Sequence, residues 1–182
     1  MKLTEKQIGS ERIYQGKILD LYRDEVELPD GGSGVREYIR HKGAVCVVPV
    51  LEDGRVVTVK QFRYPFHAVL TEIPAGKLDS REEIPEEAAR RELREETGAL
   101  AEELIPLGDY YPTCAYSDEV IHMYLARGLS FGERELDEDE FLNVELTPLE
   151  EVYRDVMDGK IRDGKTQTAI LKAYLWLREH QS

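Results

Sequence analysis

Alternating polar and apolar residues mark the start of the chain as β-structure. Residues 18–28 and 35–41 alternate in this way, and the turn-forming run PDGGSG separates them. Successive side chains of a strand point to opposite faces, so the pattern predicts two half-buried strands joined by a flexible turn. We therefore expect residues 1–42 to form an N-terminal subdomain built on an antiparallel β-hairpin.

A second pair of strands is predicted directly after this hairpin. Residues 44–51 form a continuous apolar run, which is typical of a strand buried on both faces. Residues 55–62 alternate again, and Asp53-Gly54 between the two runs is a turn signal. The pattern predicts that these two strands pair with each other as a second hairpin.

The remainder of the chain alternates strands with helices. Strands are predicted near residues 107–112, 119–126 and 143–147, and helices over about 84–97, 148–158 and 166–180. Apolar residues of the last helix fall on one stripe at helical spacing, namely Ala169, Ile170, Ala173, Tyr174 and Leu177. This order favours the α/β (α+β) class, with a mixed sheet between helices over residues 43–182.

The helix at 84–97 carries start and stop signals. Pro85 suits its first turn, Glu86 and Glu87 complement the positive end of the helix dipole, and Gly98 suits the position just after its last turn. The apolar contact stripe is narrow and consists of Ala88, Ala89 and Leu93. The opposite, glutamate-bearing face is therefore expected to stay free of burial.

Three carboxylates share that face. Glu92, Glu95 and Glu96 stand at i, i+3 and i+4, so their side chains project together. Crowded carboxylates repel one another, and a hard divalent cation such as Mg²⁺ removes the repulsion by taking their oxygens as ligands. The alternative is a solvated charged face on which Glu95 pairs with Arg91 as an ordinary neighbour.

Composition narrows the possible partners. A chain of 182 residues with 41 % hydrophobic content can form one substantial core with a small appendage. Its net charge of −13 argues against nucleic acid, whose phosphates need clustered lysine and arginine. An anionic diphosphate stays possible as a ligand because a bound cation inverts the local charge.

Cysteine usage and hydropathy indicate a cytoplasmic protein without a membrane partner. The two cysteines, Cys46 and Cys114, have no spacing typical of a zinc site or a redox pair. The longest apolar run, residues 44–51, is too short to span a bilayer. The N-terminal residues contain no apolar segment of signal-peptide length.

The residues around the helix resemble a known motif. The chain carries, in order, Gly76, Glu83, Arg91-Glu92-Leu93, Glu95-Glu96 and Gly98-Ala99. This order resembles the Nudix box, a loop–helix motif of hydrolases that cleave nucleoside diphosphates linked to another group. Six residues, rather than the usual five, separate Gly76 from Glu83, but this insertion precedes the helix and leaves the angles between its glutamates unchanged. The resemblance implies an α/β/α sandwich with a mixed sheet.

Flanking segments are similar to the ADP-ribose pyrophosphatase branch of the Nudix hydrolases. These segments are REYIRHKGAV at 36–45, KQFRYP at 60–65, EIPAGK at 72–77 and YPTCAYSDE at 111–119. The last one departs from the branch, since Cys114-Ala115 replaces its usual Pro-Gly. The branch implies Mg²⁺-dependent hydrolysis of ADP-ribose to AMP and ribose 5-phosphate, with Mn²⁺ as a possible substitute metal. Two alternatives stay open, namely another nucleoside diphosphate sugar such as GDP-mannose, or a sensor that binds ADP-ribose without turnover.

The same resemblance implies the site residues. The implied metal ligands are Glu92, Glu96, Glu140 and the backbone carbonyl of Ala75. The expected catalytic carboxylates are Glu138 as the base and Glu95, which is also the third candidate for a metal ligand. The implied substrate-binding residues are Arg36, Arg63, Lys17, Ile18, Tyr116 and Ser117. An arginine's planar fork matches phosphate oxygens, although ordinary salt bridges are the alternative for both arginines. The alternative for the acidic run at 137–140 is a solvated loop.

We expect a homodimer formed through residues 1–42. A two-stranded ribbon is marginal by itself, and relatives in the branch use this region in intertwined dimers.

Overall fold

The computed structural model describes residues 2–135 and 141–180, and the chain divides into two compact units. The N-terminal unit contains the residues up to 42 together with residues 111–120. The larger unit contains residues 43–110 and the chain from 121 onward. Residues 111–120, which the sequence had assigned to the second domain, thus join the N-terminal unit.

The N-terminal unit is a three-stranded antiparallel sheet rather than a hairpin. Its strands, in spatial order, are β1 (Lys6–Gln15), β2 (Asp20–Glu27) and β3 (Ser33–Ile39). The hairpin prediction was therefore incomplete, because it missed β1. Nearly all side chains of β1 are exposed, so this strand carries no alternation of buried and exposed residues that a sequence pattern could reveal.

A mixed four-stranded sheet forms the centre of the larger unit. Its members are β4 (Ala44–Pro49), β7 (Ala75–Lys77), β8 (Ala99–Tyr110) and β9 (Ile121–Phe131), in the spatial order β7-β4-β9-β8. β4 and β9 run parallel, and the other pairs are antiparallel. The predicted mixed sheet is confirmed.

A second, antiparallel sheet lies in the same unit. It has the order β10-β5-β6, with β5 at Arg55–Arg63, β6 at Ala68–Glu72 and β10 at Leu142–Pro148, and a short 3₁₀ turn at Tyr64–Phe66 joins β5 to β6. The predicted pairing of 44–51 with 55–62 is wrong. β4 and β5 belong to different sheets, and an isolated bridge between Val50 and Val56 joins the residue just after β4 to the start of β5. The turn itself forms as predicted, with Gly54 at a φ of 82°, but a turn does not oblige two strongly apolar strands to stay paired beyond it.

Helices cover both faces of the mixed sheet. They are α1 (Pro85–Thr97), α2 (Leu149–Met157) and α3 (Gly164–Glu179). The side chains of β4 alternate between two cores, because Val45 and Val47 pack with α1 residues and Cys46 and Val48 pack with residues of α2 and α3. This arrangement confirms the predicted α/β/α sandwich.

Neither membrane spans nor reactive core thiols are found in residues 2–135 and 141–180. No helix there combines the length and the apolar composition that crossing a bilayer requires. Cys46 is fully buried, and burial raises the pKa of its thiol to about 12, so the thiolate is scarce at neutral pH.

Candidate active site

Helix α1 forms where the sequence predicts it and ends on a glycine cap. Pro85 occupies the first turn, with Glu86 and Glu87 beside it. Gly98 follows the last turn at a φ of 73°, and its N–H donates to the carbonyl oxygen of Arg94 at 2.7 Å. These local signals set the phase of the helix, and hence the direction in which its glutamates point.

Two of the glutamates pack against the short segment Ala75-Gly76 of β7. The N–H of Ala75 donates to Glu96 Oε2 at 3.1 Å. The carboxylate of Glu92 lies directly over Gly76, where an added Cβ atom would be 1.9 Å from the Glu92 carboxyl carbon. Glu96 is only 3 % exposed, so the expectation of an unburied glutamate face is wrong for this residue. Its carboxylate lies inside the protein, against the strand.

Arg91 contacts three carboxylates of the motif, including that of Glu92. Its Nη1 lies 2.7 Å from Glu92 Oε1 and 3.3 Å from Glu95 Oε2, and its Nη2 lies 3.3 Å from Glu83 Oε1. Nη2 also donates to the carbonyl of Lys77 at 3.3 Å. Burial alone would lower the pKa of Arg91, but the adjacent carboxylates outweigh burial and raise it. The i,i+4 pair considered for Glu95 is therefore present, within a larger cluster.

The loop insertion leaves Glu83 in this cluster. Besides contacting Arg91, its Oε2 accepts a hydrogen bond of 2.5 Å from the N–H of Asp79. The extra residue is thus accommodated in the loop before α1 while Glu83 still reaches the helix.

The donor chemistry around Ala75-Gly76 suits a hard divalent cation. Glu92 and Glu96 present carboxylate oxygens to the Ala75-Gly76 segment of β7, where a glycine leaves the space that the Glu92 carboxylate occupies. Among the residues that the structure describes, no group of three His, Cys, Asp or Glu side chains is assembled as a metal site. The predicted ligand Glu140 and the predicted base Glu138 lie outside the described residues.

A buried ion-pair network lies next to this segment, and sequence reasoning missed most of it. Arg63 donates from Nε and Nη2 to the two oxygens of Glu72 at 2.6 and 2.7 Å. Lys165 also contacts Glu72, and it lies 3.0 Å from Asp163 Oδ2. Hydrogen bonding to Glu72 raises the pKa of Arg63 above its usual range. Asp163 caps α3 by accepting from the N–H of Thr166 at 2.9 Å, and such a capping pattern is the one sequence signal that points to this region.

The other predicted substrate residues belong to the N-terminal unit. Lys17 and Ile18 are the central residues of the β1–β2 turn, which a 2.8 Å bond from the Gly16 N–H to the Leu19 carbonyl closes. Arg36 lies on β3 and pairs with Glu5, as in the salt-bridge alternative.

The segment 111–120 brings the last two of these residues to the end of β3. The carbonyl of Tyr116 accepts a bond of 2.9 Å from the N–H of Ile39, and Ser117 forms a bridge with Ile39. Arg63 and the glutamates belong to the larger unit instead.

Comparison with known proteins agrees with this geometry. A family model described as the NUDIX domain matches residues 40–167, which include all of α1 and the strand segment against which it packs. The chain belongs to the Nudix family. A second model, described as the nucleoside diphosphate sugar hydrolase N-terminal domain, matches residues 5–39. The Nudix resemblance is confirmed, and the chain is a Nudix hydrolase of the nucleoside diphosphate sugar type.

Curated relatives match nearly the whole chain. An ADP-ribose pyrophosphatase of Bacillus subtilis (strain 168) is 46 % identical over 179 residues, covering 97 % of this chain and 95 % of the relative. A methanol dehydrogenase activator of Bacillus methanolicus is 42 % identical over 178 residues, covering 96 % and 94 %. The similarity to the ADP-ribose pyrophosphatase branch is thereby confirmed.

A solved structure supports the fold. The crystal structure of an ADP compounds hydrolase superimposes with a TM-score of 0.87, covering 100 % of this chain and 98 % of that one at 22 % identity. The Nudix hydrolases to which the chain is related act with a divalent metal.

Proposed function

We propose that this Nudix hydrolase cleaves the diphosphate of ADP-ribose with Mg²⁺, and that Mn²⁺ can substitute for it. Water adds to one phosphorus atom as the P–O–P bond breaks, which yields AMP and ribose 5-phosphate. The observation that carries the proposal is the packing of Glu92 and Glu96 against Ala75-Gly76. The relative named ADP-ribose pyrophosphatase, which is similar over almost its full length, supports this choice of substrate.

Each part of the chain has a distinct role in this proposal. Glu92, Glu96, Glu140 and the Ala75 carbonyl hold the metal, which neutralises charge on the diphosphate when bound. The Ala75 N–H holds Glu96 in place, and Arg91 holds Glu92 and Glu95. Fixed ligands need no rearrangement when the substrate arrives, which favours catalysis.

The proton of the attacking water goes to Glu138, the proposed base. This role rests on the family resemblance, and substitution tests it. Glu138→Gln is expected to lower kcat by roughly 10²-fold or more, with an almost unchanged metal requirement. Glu140→Gln should instead raise the Mg²⁺ concentration that gives half the maximal rate.

Asp139→Asn is the matched control for these two variants. Asp139 lies between the proposed base and the proposed metal ligand in the sequence but has neither role, so its Asn variant should behave nearly as wild type. An Asp139→Asn variant as damaged as Glu138→Gln would mean that the base has to be reassigned.

Further residues are proposed to bind the substrate on the basis of the family resemblance. Arg63 is proposed to contact the diphosphate, because its side chain is 39 % exposed although two of its nitrogens bind Glu72. Arg36 is proposed to bind phosphate in the same way. The adenosine and ribose ends are assigned to residues of the N-terminal unit, namely Lys17, Ile18, Tyr116 and Ser117. We further propose a cytoplasmic homodimer formed through that unit.

A substrate panel tests the proposed activity. ADP-ribose, ADP-glucose, GDP-mannose and NADH are each incubated with the enzyme and a phosphatase, with Mg²⁺ and with EDTA, and released phosphate is measured. ADP-ribose should give the highest kcat/KM, and EDTA should abolish turnover. If GDP-mannose gave the highest kcat/KM, it would be assigned as the substrate in place of ADP-ribose.

Glu96→Gln tests the metal site in the same assay. Removing one anionic ligand is expected to abolish turnover, while the amide oxygen can still accept the Ala75 bond and preserve the fold. Glu86→Gln on the exposed first turn of α1 is the matched control and should behave as wild type. Full activity of Glu96→Gln at saturating Mg²⁺ would contradict the metal assignment.

A sensor that binds without turnover is the second candidate. The relative named methanol dehydrogenase activator matches nearly as much of the chain as the pyrophosphatase does, and its name describes an effect on another enzyme. Tight ADP-ribose binding by calorimetry, combined with no hydrolysis of any substrate in the panel, would favour this function.

A further inference from the structure

Glu72 is a buried carboxylate with two cationic partners. It is only 2 % exposed, and it accepts two hydrogen bonds from Arg63 on β5 and one from Lys165 in the first turn of α3. Lys165 is itself 11 % exposed and also binds Asp163. A buried charge must be compensated, and Glu72 has two cations within hydrogen-bonding distance, of which Lys165 is shared with Asp163.

The three charges lie at one end of the segment that carries the candidate metal site. Ile73 follows Glu72, and its N–H donates to Thr166 Oγ1 of α3 at 3.1 Å. Two residues later, the N–H of Ala75 donates to Glu96 at 3.1 Å. The short chain segment from Glu72 at the end of β6 to Ala75 at the start of β7 therefore connects the N-terminal turn of α3 to the glutamates of α1.

Arg63 can act in two directions. It uses Nε and Nη2 on Glu72, while its side chain as a whole is 39 % exposed, and the charge of Glu96 adds to the hydrogen bonds from Glu72 in raising the pKa of Arg63. A phosphate bound near Glu96 and its metal would compete with Glu72 for this guanidinium. Arg63 can turn toward the substrate without leaving a buried charge uncompensated only if Glu72 keeps another cation.

We propose that Lys165 is a positioning residue that shares the charge of Glu72 and so leaves Arg63 available to the substrate diphosphate. The inference rests on the proposed function, because it concerns how that substrate is held. Without Lys165, Arg63 would be the sole counter-charge of the buried Glu72 carboxylate. The guanidinium would then stay on Glu72, and the diphosphate would bind more weakly.

Kinetics of four variants test this role. Lys165→Met is expected to raise the KM for ADP-ribose about tenfold or more, the size of a lost charge-assisted contact, with kcat within about threefold of wild type. Lys165→Arg should recover a KM near wild type because it restores the charge. Lys160→Met is the matched control. Lys160 precedes Lys165 by a few residues, and its ion pairs with Asp155 and Asp158 are exposed.

The double variant Glu72→Gln with Lys165→Met separates positioning from structural support. Removing both charges releases Arg63, so the KM should return toward wild type even though two buried groups have changed. A purely structural role would leave the double variant at least as impaired as Lys165→Met. That result would overturn the inference, and so would a KM of Lys165→Met equal to that of Lys160→Met.

Binding without turnover provides an independent measurement. The probe is the ADP-ribose analogue with a methylene group between its phosphorus atoms, titrated by calorimetry in Mg²⁺, and its Kd should follow the order of the KM values. Wild-type enzyme that neither hydrolyses ADP-ribose nor binds the analogue would overturn the proposed function itself. Normal wild-type behaviour with unchanged affinity in Lys165→Met would overturn this inference alone.

Discussion

Gly76 is the position at which one added carbon atom should do most damage to the site. Its Cβ would lie 1.9 Å from the carboxyl carbon of Glu92, and the Glu92 side chain can swing away while the backbone stays in place. Gly76→Ala is therefore expected to keep the fold but to lower kcat/KM by roughly 10²-fold, as displaced catalytic groups often do. Steady-state kinetics with ADP-ribose and a thermal melt measure the two effects.

Gly132→Ala is the matched control for that substitution. The nearest atom to a Cβ at Gly132 is the Gly98 carbonyl oxygen at 4.0 Å, so the methyl group fits without a clash. Activity close to wild type is expected. If Gly76→Ala retained full activity, the Glu92 carboxylate would not need its present position against β7.

The C-terminal cap of α1 depends on a glycine for two separate reasons. Gly98 has a φ of 73°, and a Cβ there would lie 2.6 Å from the carbonyl oxygen of Gly132. The strained φ costs an L-residue about 1–2 kcal/mol, and a backbone clash adds a similar amount. Gly98→Ala should thus lower the free energy of unfolding by roughly 3 kcal/mol in urea titrations.

Gly159→Ala isolates the first of these reasons. Its φ is 72°, but a Cβ there meets nothing within 4 Å, so only the strain of about 1–2 kcal/mol is expected. Equal losses in the two variants would show that the clash with Gly132 is relieved by a small movement of the loop.

The link between β6 and α3 should make stability depend on pH. Burial by itself would raise the pKa of Glu72, but hydrogen bonds from Arg63 and the charge of Lys165 outweigh burial and lower it. With a folded-state pKa below the usual 4.5, the network stabilises the protein fully above that pH and is lost as pH falls through the folded-state pKa. As the pH falls below 4.5, wild type should therefore lose stability more steeply than Glu72→Gln.

A surface pair supplies the comparison for this pH dependence. Asp53 also has a lowered pKa because Arg55 binds it, but both side chains are exposed and the pair is screened by water. Asp53→Asn should leave the slope of unfolding free energy against pH nearly unchanged. If the free energy of unfolding fell with pH at the same slope in Glu72→Gln and in wild type, the Glu72 network would not contribute to stability in acid.

Assembly is the prediction that belongs to the whole molecule. The N-terminal unit exposes many apolar side chains for its size, including Leu3, Ile8, Ile13, Tyr14, Ile18, Leu19 and Val35. Exposed apolar surface of this kind marks protein interfaces, and β1 is an edge strand whose faces are both open. Sedimentation equilibrium at micromolar concentration should therefore show a dimer.

A charge on β1 should weaken that dimer. Ile13→Asp is expected to shift the equilibrium toward monomer, whereas Ser10→Asp, at an exposed polar position of the same strand, should leave it unchanged. A wild-type monomer with full activity would refute both the dimer and its role in the substrate site.

What the sequence determined by itself was local. Caps and residue spacing within thirteen residues were enough to predict α1, the direction of its glutamates and the stripe formed by Ala88, Ala89 and Leu93. The buried strand β4 and the helix α3 were predicted for the same reason, since their apolar residues follow the period of their own element. Membership of the Nudix family followed from this local order.

Only the tertiary structure decided which elements meet. In the structure β4 pairs with β9, and β5 belongs to the other sheet of the larger unit. The structure also shows β1, which sequence could not predict because its side chains are nearly all exposed and do not alternate between apolar and polar. It also buried Glu96 against Ala75 and joined Glu72 to Lys165, 93 residues further along the chain. From sequence alone a charged residue is expected to be exposed to solvent. Its burial is possible only beside a partner of opposite charge, and that partner lies on an element that comes near only when the chain folds.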